Sequence, residues 1–413
     1  MTNKTKLIGP FNQVVTCDNL PLKGALSDDL LEVIPQGGVV VSDGCIVATD
    51  SYEALLQQYP DAEKEEIEPG HVLLPGFIDC HTHITFGGNR ARDYSERLAG
   101  VSYMEIARRG GGIQESVRGT RAATRAELAE LTKMRANDLL SQGVTTIEAK
   151  SGYGLNKDEE LKILYAIRDA AAELDADIIP TCLAAHLKPA DFEGTNREYL
   201  EHMVNDLFPV LKAEQLTNRI DIFTEETAFN VEDSTWYLQE AKKQGFDITV
   251  HADQFTTGGS AMAVELGALS AEHLEASGDE EIALLAQSDT VATVLPGASL
   301  GLGMHFSPAR KLLDGGCCVA ISSDWNPGTA PMGELLIQTA LLGAYEKLTL
   351  TECLAGITVR AAKALNLTDR GALSKGLLAD MQMYPTDDYQ NIFYLQGSMK
   401  PDGVWRKGTR VLG

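Results

Sequence analysis

The sequence lacks the long apolar runs of a membrane protein. No stretch of its 413 residues approaches the roughly 18 consecutive apolar residues that a membrane-spanning helix needs. The N-terminal stretch MTNKTKLIGPFNQVV has no apolar segment followed by a small-residue cleavage site, so no secretory signal is predicted there. Cysteine is scarce too, and none of the seven cysteines stands in a CxxC pair. These features argue against a thiolate zinc cluster and a disulfide framework, and they predict free thiols in a reducing cytoplasm.

Positively charged residues are also few. The chain has 35 lysines and arginines against 59 aspartates and glutamates, which gives a formal net charge of −24. Such a surface repels phosphate backbones and anionic headgroups, so neither nucleic acid nor a membrane is an expected partner. A small anionic substrate remains compatible if the site contains a local cationic clamp. The hydrophobic content of 44% is that of an ordinary globular protein.

Both ends of the chain are rich in short candidate strands. Residues 1–72 contain KLIGP, QVVTCD and GGVVVSDGCIVATD, and the Asp43-Gly44 pair in the last of these predicts a hairpin. Residues 371–413 contain ADMQMYP, NIFYL and GVWRKGTRVLG. Because neither end is large enough to bury a core alone, we predict that they pair into one small β-sandwich domain.

Between them, residues 73–370 alternate β-branched apolar runs with amphipathic helical stretches. A capping box at Thr124 and Glu127 and a closing Gly143 mark one of these helices. The candidate strands are GFIDCHTH, TTIEAKSGYG, IIPTCLAAH, IDIFTE, DITVHAD, ALSAEH, TVATVLP and CVAISSD. This pattern predicts an α/β fold, a closed (β/α)₈ TIM barrel, because an open doubly wound sheet normally has a glycine-rich phosphate turn after its first strand.

Ionisable side chains end several of these strands. Active residues of TIM barrels lie at the C-terminal ends of strands, so these side chains are expected to converge. His81 and His83, two residues apart on a strand, point to the same side. A lone HxH pair is often only two hydrogen-bonded core histidines, but five of the chain's eight histidines end predicted strands. The candidates are His81, His83, His186, His251, His273 and Asp324.

A metal centre explains this set better than a packed core does. One scheme holds a single ion with three histidines and one carboxylate, leaving a position for water as catalytic zinc sites do. Such an ion lowers the pKa of bound water to roughly 7. In this scheme Asp324 accepts the water proton, and His273, not a ligand, orients the hydroxide; which of the two shuttles the proton stays open. The four ligands are His81, His83, His251 and Asp324.

Longer motifs carry a family resemblance over roughly residues 70–365. LLPGFIDCHTH resembles the opening of the amidohydrolase superfamily, and HTHITFGGNRARDY, TTIEAKSGYGL, LAAHLKP, HADQF and SSDWNPGTAPM are similar to its imidazolonepropionase family. The resemblance implies a metal-dependent cyclic amidohydrolase that converts 4-imidazolone-5-propanoate to N-formimino-L-glutamate in histidine degradation. It also implies one divalent or trivalent ion, zinc or iron, and a cytoplasmic homodimer.

The resemblance further implies roles for individual residues. It gives the same four metal ligands, a catalytic group of Asp324, His273 and His186, and the substrate contacts Arg90, Tyr153, His186, Gln254, Asn326, Gly328 and Thr329. The planar guanidinium of Arg90 suits a substrate carboxylate, whereas Arg92 and Arg97 are expected on the surface. Tyr153 is equally compatible with a packed loop tyrosine, and His186 is either a donor to the ring carbonyl or a structural barrel histidine.

Two differences from other amidohydrolases favour ring opening over deamination and one metal ion over two. Superfamily deaminases place a glutamate three residues after the strand-5 histidine, where this chain has Gln254, which does not titrate. Dinuclear members bridge two metals with a strand-4 lysine, but this strand 4 offers only Glu225 and Glu226, and the sequence leaves open which of them faces inward. Lys150 is expected to form an ion pair with Glu148 or Glu225. A deaminase and a barrel that binds a histidine metabolite without turnover remain the alternatives.

Overall fold

Two eight-stranded sheets organise the chain. The computed structural model describes residues 5–101 and 103–413. Residues 1–4, which belong to the N-terminal stretch in which no secretory signal is predicted, lie outside the described residues. Within these ranges, no helix combines the length and the apolar character that crossing a bilayer requires.

The first sheet is a parallel barrel in which each strand pairs with the next along the chain. Its members are β6 (Phe77–Asp79), β7 (Val144–Lys150), β8 (Asp177–Ala185), β9 (Arg219–Thr224), β10 (Asp247–Ala252), β11 (Ser270–His273), β12 (Val291–Val294) and β13 (Val319–Ile321). All eight predicted strands are confirmed. Beyond the ends of β6 and β13, the Asp324 amide donates to the His81 carbonyl at 3.1 Å and the His83 amide to the Trp325 carbonyl at 2.9 Å. These bonds join the first and last segments of the barrel, and the predicted α/β barrel is confirmed.

Most of the helices connect the barrel strands or follow the last of them. The helices are α1 (Tyr52–Gln58), α2 (Ala91–Leu98), α3 (Tyr103–Arg108), α4 (Ile113–Ala122), α5 (Arg125–Leu140), α6 (Lys157–Ala171), α7 (Asn196–His202), α8 (Phe208–Ala213), α9 (Val231–Lys243), α10 (Gly259–Leu266), α11 (Asp279–Ala286), α12 (Pro296–Leu302), α13 (Ala309–Asp314), α14 (Leu335–Glu346), α15 (Leu350–Gly356), α16 (Val359–Ala364) and α17 (Gln390–Tyr394). A 3₁₀ turn, Asp28–Leu30, and a π turn, Met203–Leu207, complete the set. The predicted capping box begins α5, where Thr124 Oγ1 accepts from the Glu127 amide at 3.2 Å and Glu127 Oε2 accepts from the Thr124 amide at 2.8 Å.

The second sheet combines the two chain ends, as predicted. Its strands are β1 (Lys6–Val15), β2 (Val33–Ser42), β3 (Cys45–Ser51), β4 (Glu63–Glu66), β5 (Val72–Pro75), β14 (Met381–Tyr384), β15 (Gly403–Arg406) and β16 (Thr409–Leu412). The ends meet where β5 pairs antiparallel with β14. Asp43 and Gly44, with φ of 53° and 79°, form the predicted hairpin turn between β2 and β3. The predicted strand NIFYL is wrong, because α17 covers it. Domain divisions at residues 72 and 370 stay a prediction.

The second sheet, which we call the end sheet because both chain ends form it, has its own apolar core. Strands from both chain ends contribute to it, with Ile8, Phe11 and Val39 from the N-terminal part and Met381 and Trp405 from the C-terminal part. Each of these side chains is almost completely buried. A core assembled from both ends explains why the N-terminal and C-terminal segments fold together.

Arg406 of the end sheet forms ion pairs with Asp177, at the start of barrel strand β8, and with Asp380, just before β14. Its Nη2 lies 2.5 Å from Asp177 Oδ1, its Nη1 lies 2.5 Å from Asp380 Oδ1, and its Nε donates to the Asp175 carbonyl at 2.8 Å. Arg370 contacts the other oxygen of Asp177 at 2.6 Å. Burial alone raises the pKa of Asp177, but the charges of Arg406 and Arg370 outweigh it and hold that pKa below its ordinary value.

We expect Arg406→Ala to lower the free energy of unfolding by about 2–4 kcal/mol at pH 7, because it leaves the Asp380 carboxylate buried without a cation. Since the pKa of Asp177 is depressed in the folded chain, its share of this stability is present above its unfolded value of about 3.9 and is lost as the pH falls through the folded value. Urea unfolding at neutral and acid pH measures the change. Lys64→Ala, at an exposed position of β4, is the control. An equal loss at both pH values would assign the effect to packing instead.

Candidate metal centre

Four of the predicted side chains bring their ligand atoms together at the carboxyl end of the barrel. His81 and His83 follow β6, His251 lies near the end of β10, and Asp324 follows β13. The Nε2 atom of His83 lies 3.2 Å from that of His81 and 3.3 Å from that of His251. Asp324 Oδ1 lies 3.4 Å from both His81 Nε2 and His83 Nε2. All four side chains are buried.

Two carboxylates fix the orientation of these imidazoles. Glu272 Oε2 lies 2.6 Å from His81 Nδ1, and Asp221 Oδ2 lies 2.9 Å from His251 Nδ1. Each carboxylate favours a proton on Nδ1, which leaves the Nε2 lone pairs facing one another and Asp324. Lone pairs this close together repel one another, so the arrangement of the Nε2 atoms and Asp324 is favourable only with a cation between them. Metal–nitrogen bonds of about 2.0–2.1 Å in a tetrahedron place the ligands roughly 3.3–3.4 Å apart, so the observed separations fit a metal ion.

The protonation of the three histidines differs. Burial lowers the pKa of His83 to about 4 and that of His251 to about 3, so both are neutral ligands near pH 7. Burial also acts to lower the pKa of His81, but the charge of Glu272 raises it to about 10. A proton on His81 is therefore what a metal ion displaces on binding.

We expect the apparent metal affinity to rise about tenfold per pH unit through the neutral range, because one proton leaves His81 for each ion bound. The sign follows from the raised pKa: below about 10 the metal-free His81 carries the competing proton. Competition with a chelator between pH 6 and pH 8 measures the slope. Glu272→Gln removes the charge that holds this proton and should flatten the dependence. A pH-independent affinity in the unmodified chain would contradict this account.

Beneath the ligand histidines lies a fully buried ion cluster centred on Lys150. Its Nζ is 2.9 Å from Glu148 Oε1, 2.8 Å from Asp221 Oδ2 and 3.1 Å from Glu272 Oε2. The predicted pair with Glu148 is confirmed. The alternative with Glu225 is wrong, because that carboxylate accepts hydrogen bonds from the amides of Phe255 and Thr256 and from the Thr256 hydroxyl. Of the two strand-4 glutamates left open, Glu225 is buried and Glu226 is exposed.

Sequence reasoning missed Asp221 and Glu272. Their signal was present, because Asp221 lies between two isoleucines in strand RIDIFT and Glu272 directly precedes His273 in strand SAEH. Asp79 was missed as well. Its Oδ1 accepts from the Ser323 amide at 2.9 Å and its Oδ2 accepts from the Ser323 hydroxyl at 2.5 Å, which fixes the segment that leads into Asp324.

His273 lies beside the four ligands without joining them. Its ring centroid is 5.3 Å from that of His251 and 5.9 Å from that of His81. Its Nδ1 lies 3.7 Å from Glu275 Oε2. The backbone at His273 has φ of 85°, and at Asp324 φ is 53°; both are left-handed values that non-glycine residues rarely adopt. Such strain is concentrated at functional sites.

A cavity of about 300 Å³ opens onto His83, His251 and Asp324. Arg90 lines its wall and is only 7% exposed. Its Nε is buried with no hydrogen-bond partner, and no carboxylate of the described residues forms an ion pair with it. Gly328 lies directly against this guanidinium, since a Cβ at that position would be 1.2 Å from Arg90 Nη2. Arg90 and Gly328 therefore form one side of the cavity.

Arg97 is not the surface residue that was expected. Its Nη1 donates to the Gly301 carbonyl and its Nη2 to the Gly328 carbonyl, both at 3.0 Å. It thereby supports the turn that contacts Arg90. Arg92 agrees with the prediction, because its side chain is 91% exposed.

Asn326 uses its side chain within its own turn. Its Nδ2 donates to Asp324 Oδ2 and to Thr329 Oγ1, both at 2.9 Å, and its Oδ1 accepts from the amides of Gly328 and Thr329, both at 2.8 Å. This hydrogen bonding orients Asp324 and closes the turn. Asn326 and Thr329 line the cavity as well.

His186, Tyr153 and Gln254 line the same cavity. His186 Nδ1 lies 3.0 Å from the Gly152 carbonyl, which only accepts, so Nδ1 carries the proton. Burial lowers the pKa of His186 well below its ordinary value. A neutral ring protonated at Nδ1 presents a lone pair at Nε2, so it accepts hydrogen bonds there. Wall residues that the sequence did not indicate are Ile113, Gln114, Phe223, Thr227 and Phe255.

Comparisons with known proteins agree with this architecture. Residues 72–411 match the model of the amidohydrolase family, and residues 37–62 match that of the imidazolonepropionase-like composite domain of bacteria. The chain is 40% identical to the imidazolonepropionase of Deinococcus deserti, over 99% of this chain and 100% of the relative. It is similar in fold to a triazine hydrolase variant, with a TM-score of 0.76 at 17% identity over 99% and 94% of the two chains. A mutant of atrazine chlorohydrolase from Arthrobacter aurescens TC1, complexed with zinc and atraton, gives a TM-score of 0.70 at 16% identity over 98% and 95%.

Proposed function

The chain belongs to the amidohydrolase family and, within it, to the imidazolonepropionases, and from this membership we propose that it hydrolyses 4-imidazolone-5-propanoate to N-formimino-L-glutamate in histidine degradation. The reaction opens a cyclic amide at a C–N bond. The observation that carries the proposal is a cavity with ligand atoms for a metal at its base and, in its wall, an arginine with no ion-pair partner among the described residues.

We propose one zinc or iron ion, held by His81, His83, His251 and Asp324. When bound, the metal lowers the pKa of coordinated water to roughly 7 and polarises a carbonyl. Nitrogen and carboxylate ligands of this kind suit both metals, and availability often decides between them. The zinc complex of the atrazine chlorohydrolase mutant supports zinc by analogy of fold.

The surrounding residues hold and move protons. Asp324 Oδ1 faces the histidines, whereas its Oδ2 accepts one hydrogen bond from Asn326 and keeps a lone pair for a proton. We assign to Asp324 the transfer of that proton to the departing nitrogen, and to His273 the orientation of the attacking water. Gln254 binds substrate by hydrogen bonds and takes no part in proton transfer.

His186 receives a different role from the donor role expected from the sequence. Because its Nδ1 proton is engaged by the Gly152 carbonyl, its Nε2 accepts a hydrogen bond from a substrate N–H. Tyr153 lies next to it, with ring centroids 5.4 Å apart, and we assign it to substrate binding as well. Arg90 binds the propanoate carboxylate, with Gly328 and Thr329 forming the adjoining turn.

A turnover assay with metal analysis tests the function. Purified protein should contain one zinc or iron ion per chain and should bleach the ultraviolet band of imidazolonepropanoate without releasing ammonia. Ammonia release would favour the deaminase alternative, and metal binding with no loss of the band would favour the non-catalytic binder.

We also propose a cytoplasmic homodimer that binds neither nucleic acid nor membranes. Free thiols support the compartment, because all seven cysteines are unpaired and six of them are buried. Sedimentation equilibrium of the purified chain tests the dimer; a monomer at micromolar concentration would reject it.

A further inference from the structure

The proposed reaction leaves the buried Lys150 of the metal centre without a role. Its ammonium is fully buried and contacts one oxygen each of Glu148, Asp221 and Glu272, within 2.8 to 3.1 Å. Carboxylate oxygens are also the ligand type that a hard divalent cation prefers. The second oxygen of Glu148 is buried and has no hydrogen-bond partner in the described part of the chain.

The cluster comes from alternate strands of the barrel. Glu148 and Lys150 lie on β7, Asp221 on β9 and Glu272 on β11, the second, fourth and sixth barrel strands. Alternate strands of a TIM barrel contribute one layer of interior side chains, so one residue from each strand, such as Lys150, Asp221 and Glu272, can meet in a layer. This layer adjoins the ligand histidines, because Asp221 and Glu272 also contact His251 and His81.

We propose that the Lys150 ammonium occupies the position of a second cation and thereby limits this centre to a single metal ion. The Asp221 and Glu272 carboxylates that contact Lys150 belong to a group whose ligand atoms lie within 4.8 Å of one another, close enough for their oxygens to bind one ion. Lys150 neutralises the carboxylates that would hold that ion and keeps Asp221 and Glu272 directed at the ligand histidines. It is a positioning residue, since its contacts to the metal ligands run through these carboxylates.

The inference rests on the proposed metal centre and makes a separate prediction about metal stoichiometry. Removing the ammonium leaves buried carboxylates without a cation, which is strongly unfavourable. A divalent ion that prefers oxygen ligands, such as Mn²⁺, restores the charge balance. Lys150→Ala should therefore gain a second metal site, and Lys150→Arg, which retains the charge, should not.

Metal titration of the full chain tests this. Wild type, Lys150→Ala and Lys150→Arg are loaded with one equivalent of zinc, and Mn²⁺ binding is then followed by electron spin resonance of the free ion. Only Lys150→Ala should take up a further equivalent, with a rise in melting temperature on Mn²⁺ addition. Before Mn²⁺ is added, its zinc affinity should be about 10–100-fold below that of wild type, as for loss of other residues that orient metal ligands.

Lys243→Met, at a side chain that is 67% exposed, is the control and should behave as wild type. A folded Lys150→Ala chain that binds no Mn²⁺ overturns the inference. So does a chain that stays unfolded in millimolar Mn²⁺ while Lys150→Arg folds, because the metal then fails to replace the ammonium. If wild type itself binds no zinc, the proposed metal centre fails, and the two failures are thereby distinguished.

Discussion

Asp324→Ala is expected to release the metal and to lower kcat by more than about 10³-fold, because one substitution removes both a ligand and a proton acceptor. The carboxylate Oδ1 lies 3.4 Å from two histidine Nε2 atoms, and its loss leaves three neutral imidazoles to hold the ion. Metal content by elemental analysis and turnover of imidazolonepropanoate should therefore fall together.

Asp324→Asn separates the two roles. The amide keeps the shape of the side chain, but it neither carries charge nor accepts the transferred proton. We expect it to retain more metal than Asp324→Ala at saturating zinc while turnover stays as low. Burial acts to raise the pKa of Asp324, but hydrogen bonds with His81 and His83 hold it well below its ordinary value, so the native residue is a carboxylate at neutral pH.

Asp289→Ala serves as the matched control, since that side chain is 94% exposed and its ion pair is with Lys23 rather than with a residue of the metal centre. It should retain both metal and activity. If Asp324→Ala keeps its metal and a substantial part of its turnover, Asp324 is neither an essential ligand nor the proton carrier.

The convergence of the proposed metal ligands was predictable because a general rule of the fold acts on their positions. Once eight strands are recognised, side chains at the strand ends must converge, whatever the details of packing. The rule alone brings His81, His251 and Asp324 to one place, and it applies equally to His186 and His273. The same rule does not predict the register between neighbouring strands. It therefore does not predict which side chains of the barrel interior contact one another.

Asp221 and Glu272 illustrate this limit. Each lies within a strand, and its contact with Lys150 depends on the stagger of three alternate strands, which no local pattern encodes. Glu225 was a reasonable partner by sequence proximity to the strand end. It instead accepts hydrogen bonds from the segment after β10.

The wrong predictions for NIFYL and Arg97 have a common cause, because a local sequence pattern is compatible with more than one structure. NIFYL is a short apolar run, for which periodicity does not separate a strand from a helix. Arg97 was expected on the surface, whereas two backbone carbonyls far along the chain, those of Gly301 and Gly328, bind its guanidinium.

Arg90→Ala should raise KM for imidazolonepropanoate about 100-fold with little change in kcat, because charge-assisted hydrogen bonds to the carboxylate contribute about 1.5–3 kcal/mol each and are made equally in substrate and transition state. The residue is suited to this role, since its guanidinium is buried in the cavity wall without a carboxylate partner in the described residues. Steady-state kinetics measure the change.

A substrate analogue that lacks the carboxylate makes the test specific. Its KM should be nearly the same for wild type and Arg90→Ala, because the missing charge is what Arg90 binds. Arg92→Ala, two residues away and exposed, should alter neither substrate's KM. Gly328→Ala should resemble Arg90→Ala, since the added methyl group displaces the guanidinium that lies against that glycine. If Arg90→Ala raises KM equally for both substrates, Arg90 shapes the cavity rather than binding the carboxylate, and the cation for the propanoate group must come from another residue.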